Sequence, residues 1–234
     1  MNRELAATKN ALDAARAAGW CTPEWLAFGT LPDGRAYVIE EKIADARPAR
    51  SDAHDLARVL DANRLQAGRQ PAVRRDWSEY QWRVLWEDAG GATLRLRQRD
   101  ETAALVERIL AANTRDFRLP STDLVHGDCV LGNVLFRDDR PCFIDAEHAG
   151  KGSRAYDLAT MIYVLFVGAH DRPPDAIAAS YEREAVALVG RVGLIHCVTS
   201  SMIEFVAFGL DHWLDDVSEC VVRGHAYLDR IGVT

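Results

Sequence analysis

Three polar residues near the middle of the chain have the types and the spacing that phosphoryl transfer requires. Asn133 follows Asp128 by five positions, and Asp145 follows it by seventeen. Such a transfer needs a group that accepts or orients the proton of the attacking hydroxyl, and it needs hard oxygen ligands for Mg²⁺ beside the phosphates. Two carboxylates and one amide can supply both. The spacing therefore indicates one site built from these three side chains.

Each of these residues also has an ordinary structural explanation. A lone aspartate such as Asp138, Asp139 or Asp145 is typical of a turn or a strand end. Asp157 has the position of a helix N-cap. The joint pattern favours the site, because an Asp, an Asn and an Asp at these spacings, each at the edge of a strand, have few structural reasons to coincide.

The elements that must position these residues form a small sheet followed by helices. Short apolar runs predict strands at residues 124–126, 133–136 and 142–144, and a polar turn at residues 138–140 brings Asp145 back beside Asp128. Upstream, two strands joined by a Pro-Asp-Gly turn indicate a hairpin. The predicted hairpin strands are residues 25–28 and 36–39, and the predicted helices are residues 2–18, 51–67, 77–87, 101–112, 158–167, 175–192, 194–214 and 216–231.

These segments together resemble the aminoglycoside phosphotransferase and choline kinase superfamily. The residues that carry the resemblance are His126-Gly127-Asp128, Asn133, Ile144-Asp145 and Tyr156-Asp157-Leu158-Ala159. The match is concentrated in residues 123–159. It implies an α+β, protein-kinase-like fold, with a truncated N-terminal lobe and a mainly helical C-terminal lobe.

The resemblance also implies a role for each motif residue. Asp128 is expected to be the catalytic base, and Asn133 and Asp145 the Mg²⁺ ligands. His126 is expected to brace the catalytic loop, and Asp157 to tie that loop to the following helix.

The same resemblance implies a nucleotide cofactor, which is ATP or another nucleoside triphosphate bound with Mg²⁺. Backbone groups around Glu40 and Lys42, just after the hairpin, are expected to contact the adenine. In this interpretation residues 1–43 are a remnant of the nucleotide lobe, and residues 44–234 form the catalytic and substrate lobe.

Part of the donor-side machinery of a kinase is not found in the sequence. No Gly-rich phosphate loop occurs, and none of the three lysines lies on a strand before the first helix. Glu4 resembles the family's ion-pair glutamate, although an acidic residue in a first helical turn is equally ordinary. A late start of the gene, a natural truncation and replacement of the lysine by another group all remain open. We expect an unpaired hairpin edge, weak ATP binding and slow or no turnover from such a chain.

The substrate side is predicted to lie among the C-terminal helices. Acidic residues interleaved with aromatic ones on these helices suit an amine-bearing acceptor, and Glu204 and Asp211 are the acidic candidates. Glu204 is favoured because apolar residues flank it on both sides. The alternative is a solvated acidic helix face with core aromatics. Further candidates on these helices are Phe205, Phe208, Trp213, Asp215, Asp216 and Glu219.

Composition limits the class of protein. The net charge of −7 disfavours a nucleic-acid partner, because phosphate neutralisation needs a basic face. The five cysteines are odd in number, form no C-x-x-C pair and predict reduced thiols, with Cys129 in a packing role. No apolar run or signal segment indicates a membrane, so a cytoplasmic location is expected.

The sequence therefore predicts an ATP-dependent phosphotransferase that acts on a hydroxyl of a small molecule, with aminoglycoside-like antibiotics among the candidate acceptors. A catalytically silent, kinase-like binding module or truncated pseudo-enzyme is the alternative. A protein or lipid kinase is disfavoured, because no Ala-Pro-Glu motif is present.

Overall fold

The computed structural model describes residues 3–165, 175–212 and 217–233. The helices are α1 (Arg3–Ala17), α2 (Ala53–Arg64), α3 (Trp77–Trp86), α4 (Ala92–Arg97), α5 (Asp100–Ala112), α6 (Ala155–Tyr163), α7 (Asp175–His212) and α8 (Val217–Arg230). The strands are β1 (Trp25–Thr30), β2 (Ala36–Glu40), β3 (Arg47–Pro48), β4 (Asp123–Val125), β5 (Val134–Arg137), β6 (Arg140–Phe143) and β7 (Gly150–Gly152).

The N-terminal hairpin has the strands that the sequence predicts. β1 and β2 pair antiparallel with Trp25 opposite Glu40, and the Trp25 Nε1 donates to the Glu40 Oε1 at 2.8 Å. Within the described residues this sheet has two strands, so its outer edges have no strand partner there. Leu26 and Ile39 on the hairpin are 64% and 54% exposed.

The central strands are arranged differently from the single sheet that the sequence predicts. β5 and β6 pair antiparallel, with Val134 opposite Phe143, and β3 pairs with the other edge of β5. β4 instead pairs with β7 in a separate two-stranded sheet. The sequence missed β3 and β7 because two or three residues containing Pro or Gly show no strand alternation.

The helices largely follow the predicted apolar periodicity. Asp52 caps α2 by accepting from the Asp55 N–H at 2.9 Å, and Asp76 caps α3. α4 was not predicted, since six residues are too few to show a period. The predicted break between two helices near residue 193 occurs at Gly190, where φ is 70° and ψ is 177°.

The core lies between the C-terminal helices and the central strands. α6 packs along α7, and buried side chains such as Leu158, Met161, Ile203 and Val206 fill the space between them. This packing fixes the start of α6, which carries Asp157.

α7 corrects the expectation that no apolar segment reaches membrane-spanning length. By length and composition, residues 176–212 could cross a membrane, with a mean hydropathy of 1.6 in the most apolar window. That window is 56% buried inside the protein, as is typical of a core helix.

The expectation of reduced thiols throughout is wrong for two of the five cysteines. Cys21 and Cys142 form a disulfide, with their Cα atoms 4.5 Å apart across 121 residues of sequence. The Phe143 N–H donates to the Cys21 carbonyl at 2.9 Å, so backbone packing of the segment after α1 against β6 brings the two together. Cys129 and Cys197 are buried thiols.

Candidate active site

The loop that contains Asp128 is fixed to α6 through Asp157. The backbone N–H of His126 donates to the Asp157 Oδ2 at 2.8 Å, and that of Gly127 donates to the Oδ1 at 3.0 Å. Gln66 adds a third donor, with its Nε2 2.7 Å from the Oδ2. Burial raises the pKa of Asp157, while these hydrogen bonds favour its ionised form. Both carboxylate oxygens thus hold the loop backbone in place.

The His126 ring links the loop to the end of β6. Its Nδ1 accepts from the Asp128 backbone N–H at 3.2 Å, so the proton is on Nε2, which donates to the Ile144 carbonyl at 2.9 Å. Trp20 packs edge-on against His126 and stacks on Phe143, with ring centroids 5.0 Å apart in the stack. His126 is completely buried, and its two hydrogen bonds connect the loop backbone to the residue after β6.

Gly127 is required by both backbone conformation and space. Its φ of 88° lies in the left-handed region, and a Cβ there would lie 2.2 Å from the Trp77 ring. Trp77 is held by a hydrogen bond from its Nε1 to the His148 carbonyl at 3.0 Å and stacks on Tyr156. The stacked Trp77 and Tyr156 rings therefore reach, through Trp77, the backbone next to Asp128.

Asp128 and Asn133 are in direct contact. The Asn133 Nδ2 donates to the Asp128 Oδ2 at 2.8 Å and to the Asp128 carbonyl at 3.0 Å. The Asn133 carbonyl accepts from the Ile144 N–H at 3.0 Å, which places Asp145 at the neighbouring strand end. Asp145 has φ of 56°, a left-handed conformation, and its side chain is exposed. The fold thus brings Asp128 and Asn133 into contact and places Asp145 directly after a residue that is bonded to the Asn133 backbone.

The donor set at this edge suits Mg²⁺ bound together with a nucleotide. The Asn133 amide oxygen and the Asp145 carboxylate are hard oxygen ligands, and Mg²⁺ commonly takes one or two protein ligands plus substrate phosphates. Among the described residues no cluster of three or more His, Cys, Asp or Glu side chains could hold a metal alone. The fit to Mg²⁺ therefore rests on the two oxygen groups of Asn133 and Asp145.

A cavity of about 730 Å³ opens beside Asp128, and Glu204 lines it. The Tyr156 hydroxyl donates to the Glu204 Oε2 at 3.1 Å, and Tyr80 also hydrogen-bonds to this carboxyl group. Burial raises the pKa of Glu204, and the Asp128 charge adds to the effect. Glu204 thus lies in the same cavity as Asp128.

Of the other acidic candidates on the C-terminal helices, Asp211 and Glu219 are described, and neither lines this cavity. Asp211 pairs with Arg95 of α4, with the Arg95 Nη1 2.9 Å from its Oδ2. Glu219 pairs with Arg223. Trp213, Asp215 and Asp216 lie outside the described residues.

The predicted nucleotide contacts lie at the end of the hairpin. Burial raises the pKa of Glu40, and the charges of Asp145 and Glu147 also oppose its ionisation. Its side chain is bonded to Trp25, and Lys42 is exposed. Glu4 lies 3.8 Å from the Arg75 guanidinium. Glu40 is therefore close to Asp145 and Glu147, which follow β6.

Sequence reasoning missed several residues that shape the site. Gln66, Trp77 and Tyr80 come from segments that carry no motif, and His148 lies between two motif segments without belonging to either, so only the tertiary fold places them here. Tyr156 directly precedes Asp157 in the sequence. Because Asp157 is predicted to anchor the loop, a position close to the loop could also have been predicted for Tyr156. The Cys129 thiol is buried, which raises its pKa and agrees with a packing role.

Comparisons with known proteins give consistent results. Residues 3–191 match the model of the phosphotransferase enzyme family. The stress response kinase A of Shigella flexneri is 32% identical over 114 residues, which cover 47% of this chain and 33% of that kinase. The same kinase of Escherichia coli K12 is 31% identical with the same coverage, so the match spans about a third of these relatives.

Solved structures show the same fold across nearly the whole chain. A thermostable mutant of aminoglycoside phosphotransferase APH(4)-Ia superposes with a TM-score of 0.70 and 16% identity, covering 99% of this chain and 85% of that one. A choline/ethanolamine kinase family protein from Mesorhizobium loti gives 0.60 and 18%, covering 98% and 79%. These likenesses confirm the protein-kinase-like fold. Because the family model covers most of the 234 residues, the chain belongs to the phosphotransferase enzyme family.

Proposed function

We propose that this chain is an ATP-dependent phosphotransferase that acts on a hydroxyl group of a small molecule. The observation that carries the proposal is the contact between Asp128 and Asn133, on a loop anchored by Asp157, at the wall of a cavity large enough for a small-molecule acceptor. Membership of the family supports the reaction class.

In this proposal Asp128 is the catalytic base. The Asn133 amide donates to its Oδ2, which leaves Oδ1 to accept the proton of the attacking hydroxyl. His126 and Asp157 are positioning residues, because they fix the loop backbone and do not face the cavity. Positioning matters here because phosphoryl transfer depends mainly on placement and electrostatics.

Asn133 and Asp145 would hold Mg²⁺ at the neighbouring strand ends, and the metal would neutralise charge on the nucleotide phosphates when bound. The backbone around Glu40 and Lys42 would contact the adenine. Residues 1–43 would thus serve the nucleotide, and residues 44–234 would serve catalysis and the acceptor.

A catalytically silent binding module is the second candidate. The observation that favours it is that strands β1 to β6, as the structure describes them, carry no lysine that could position the phosphates as the strand lysine of kinases does.

The test compares Asp128→Asn with Asp138→Asn. The control removes the same charge from the exposed β5–β6 turn, where a φ of 49° suits asparagine. Phosphate transfer from Mg-ATP would be followed with hygromycin B, choline and the amino alcohol described below as acceptors, and with water as the background acceptor. Nucleotide affinity would be measured by calorimetry.

We expect Asp128→Asn to lower turnover by roughly 10²-fold or more, with nucleotide affinity and the control unchanged. Near wild-type turnover of Asp128→Asn would refute the assignment of the base. Binding of Mg-ATP without any transfer would favour the silent module.

A further inference from the structure

The cavity beside Asp128 has an unusual balance of charge and apolar surface. It is bounded by the catalytic loop, α3, α6 and the second half of α7. Its volume of about 730 Å³ is in the range of sites for drug-sized ligands. Six of its lining residues are large and apolar or aromatic: Trp77, Leu131, Tyr156, Tyr163, Phe205 and Phe208.

The charged lining is confined to a few groups. Asp128 and Glu204 are the carboxylates among the described residues that line the cavity, and no Lys or Arg is among them. His148 is the remaining side chain there that can carry charge. Since Asp128 has a role in the reaction, Glu204 is the carboxylate left for recognition.

Glu204 is held in a fixed position with acceptor capacity to spare. Hydrogen bonds from Tyr156 and Tyr80 orient the carboxyl group. A carboxylate has about four lone-pair positions, so two donors leave about half of them for a ligand. A carboxylate in a confined site without a cation carries a desolvation cost that a ligand ammonium would offset.

Asp211 does not line the cavity, so it adds no further carboxylate there for a ligand ammonium group. Asp211 lies seven residues beyond Glu204 on the same helix, but Arg95 neutralises it outside the cavity. With Asp128 engaged by the acceptor hydroxyl, a ligand with several ammonium groups would place all but one of them against described walls that carry no further carboxylate. Such groups would lose hydration without gaining a counter-charge.

We propose that the acceptor is an amino alcohol with a single ammonium group and a large apolar part. The ammonium group binds Glu204, the apolar part packs on the aromatic walls, and the hydroxyl faces Asp128. Trp77 and Tyr156, stacked at 5.2 Å, add a π-face beside the ammonium site. This inference rests on the proposed function, because the hydroxyl is the group to be phosphorylated.

The test uses a pair of probes that differ in one group. In 2-[(naphthalen-1-ylmethyl)amino]ethanol the linking nitrogen is protonated at neutral pH, and in 2-(naphthalen-1-ylmethoxy)ethanol an ether oxygen takes its place. Kanamycin A is the polycationic probe. Binding to the whole chain would be measured by calorimetry without nucleotide, so that the result does not depend on turnover.

We expect the amine to bind at least tenfold more tightly than the ether and more tightly than kanamycin A. Glu204→Gln keeps the volume and an acceptor for the tyrosines, and should remove the preference for the amine. Asp211→Asn takes one carboxylate from the same helix outside the cavity and should leave the preference intact.

Equal affinities for amine and ether, no binding of either, a preference for kanamycin A, or a preference that survives Glu204→Gln would each overturn the inference. If the amine binds through Glu204 but is never phosphorylated, the proposed function fails and the cation site stands. If other alcohols are phosphorylated without dependence on Glu204, the reverse holds.

Discussion

Asp157 accepts three hydrogen bonds, two of them from the backbone of the loop that carries Asp128, so replacing it with its isostere should cost measurable stability. Asp157→Asn keeps the size of the side chain but turns one acceptor oxygen into an NH₂ donor. In the better orientation the amide oxygen retains the His126 N–H and the Gln66 amide, which both contact the Oδ2. The NH₂ group then faces the Gly127 N–H, which donates to the Oδ1 in the native protein.

The magnitude follows from this count. Loss of a hydrogen bond to a charged acceptor costs about 2 kcal/mol, and two buried donors left facing each other cost about 2 kcal/mol more. Removing a buried charge offsets part of this, because the carboxylate is 1% exposed and carries a desolvation cost. We expect the free energy of unfolding to fall by about 2–3 kcal/mol.

Urea denaturation of the whole chain would measure the change. Asp61→Asn is the matched control, since Asp61 pairs with Arg64 on the exposed face of α2 and surface pairs contribute about 0–1 kcal/mol. Turnover should fall in Asp157→Asn beyond the loss of folded protein, because Asp128 is carried by the displaced loop. A stability within about 0.5 kcal/mol of the wild type would refute the anchoring role.

Two further predictions concern stability. Burial lowers the pKa of His196 to about 4 from an ordinary 6.5, so as the pH falls this histidine takes up a proton in the unfolded chain before it does so in the folded one. The free energy of unfolding should therefore fall by up to about 3 kcal/mol between pH 6.5 and pH 4. His196→Phe should flatten that part of the pH profile in urea titrations, and an unchanged profile would contradict the assignment. Reduction of the Cys21–Cys142 disulfide, which closes a loop of about 121 residues, should cost up to about 4–5 kcal/mol by chain entropy. Thiol titration in denaturant should find three thiols before reduction and five after it, and five before reduction would contradict the pairing.

The sequence predicted the fold class and the local elements around the motif well, because both depend on short-range patterns. The strands and the turn between β5 and β6 follow from apolar runs and the Asp138–Asp139 pair, whose φ values of 49° and 61° are left-handed. Asn133 and Asp145 flank one hairpin, and Asp128 is hydrogen-bonded to Asn133, so the spacing of the first two reflects a local structure that the sequence could predict. Their chemical roles remain predictions.

Features that depend on distant segments were beyond the sequence. β7 pairs with β4 across some 25 residues, and its Gly-Lys-Gly sequence has no strand signal. The disulfide joins cysteines 121 residues apart, and spacing alone cannot indicate such a pair. Gln66 reaches Asp157 from the turn after α2, where nothing in the local sequence distinguishes it from a solvated glutamine.

Glu204 and Asp211 show most clearly why the substrate side resisted prediction. They are seven residues apart, so helical periodicity places them on nearly the same face of α7, about 10 Å apart along its axis. The helical pattern in the sequence therefore cannot distinguish Glu204 from Asp211. The tertiary neighbours separate them: tyrosines of α3 and α6 orient Glu204 in the cavity, whereas Arg95 of α4 holds Asp211 outside it. Because periodicity did not predict α4, the carboxylate that lines the cavity could be identified only from the packing of the helices.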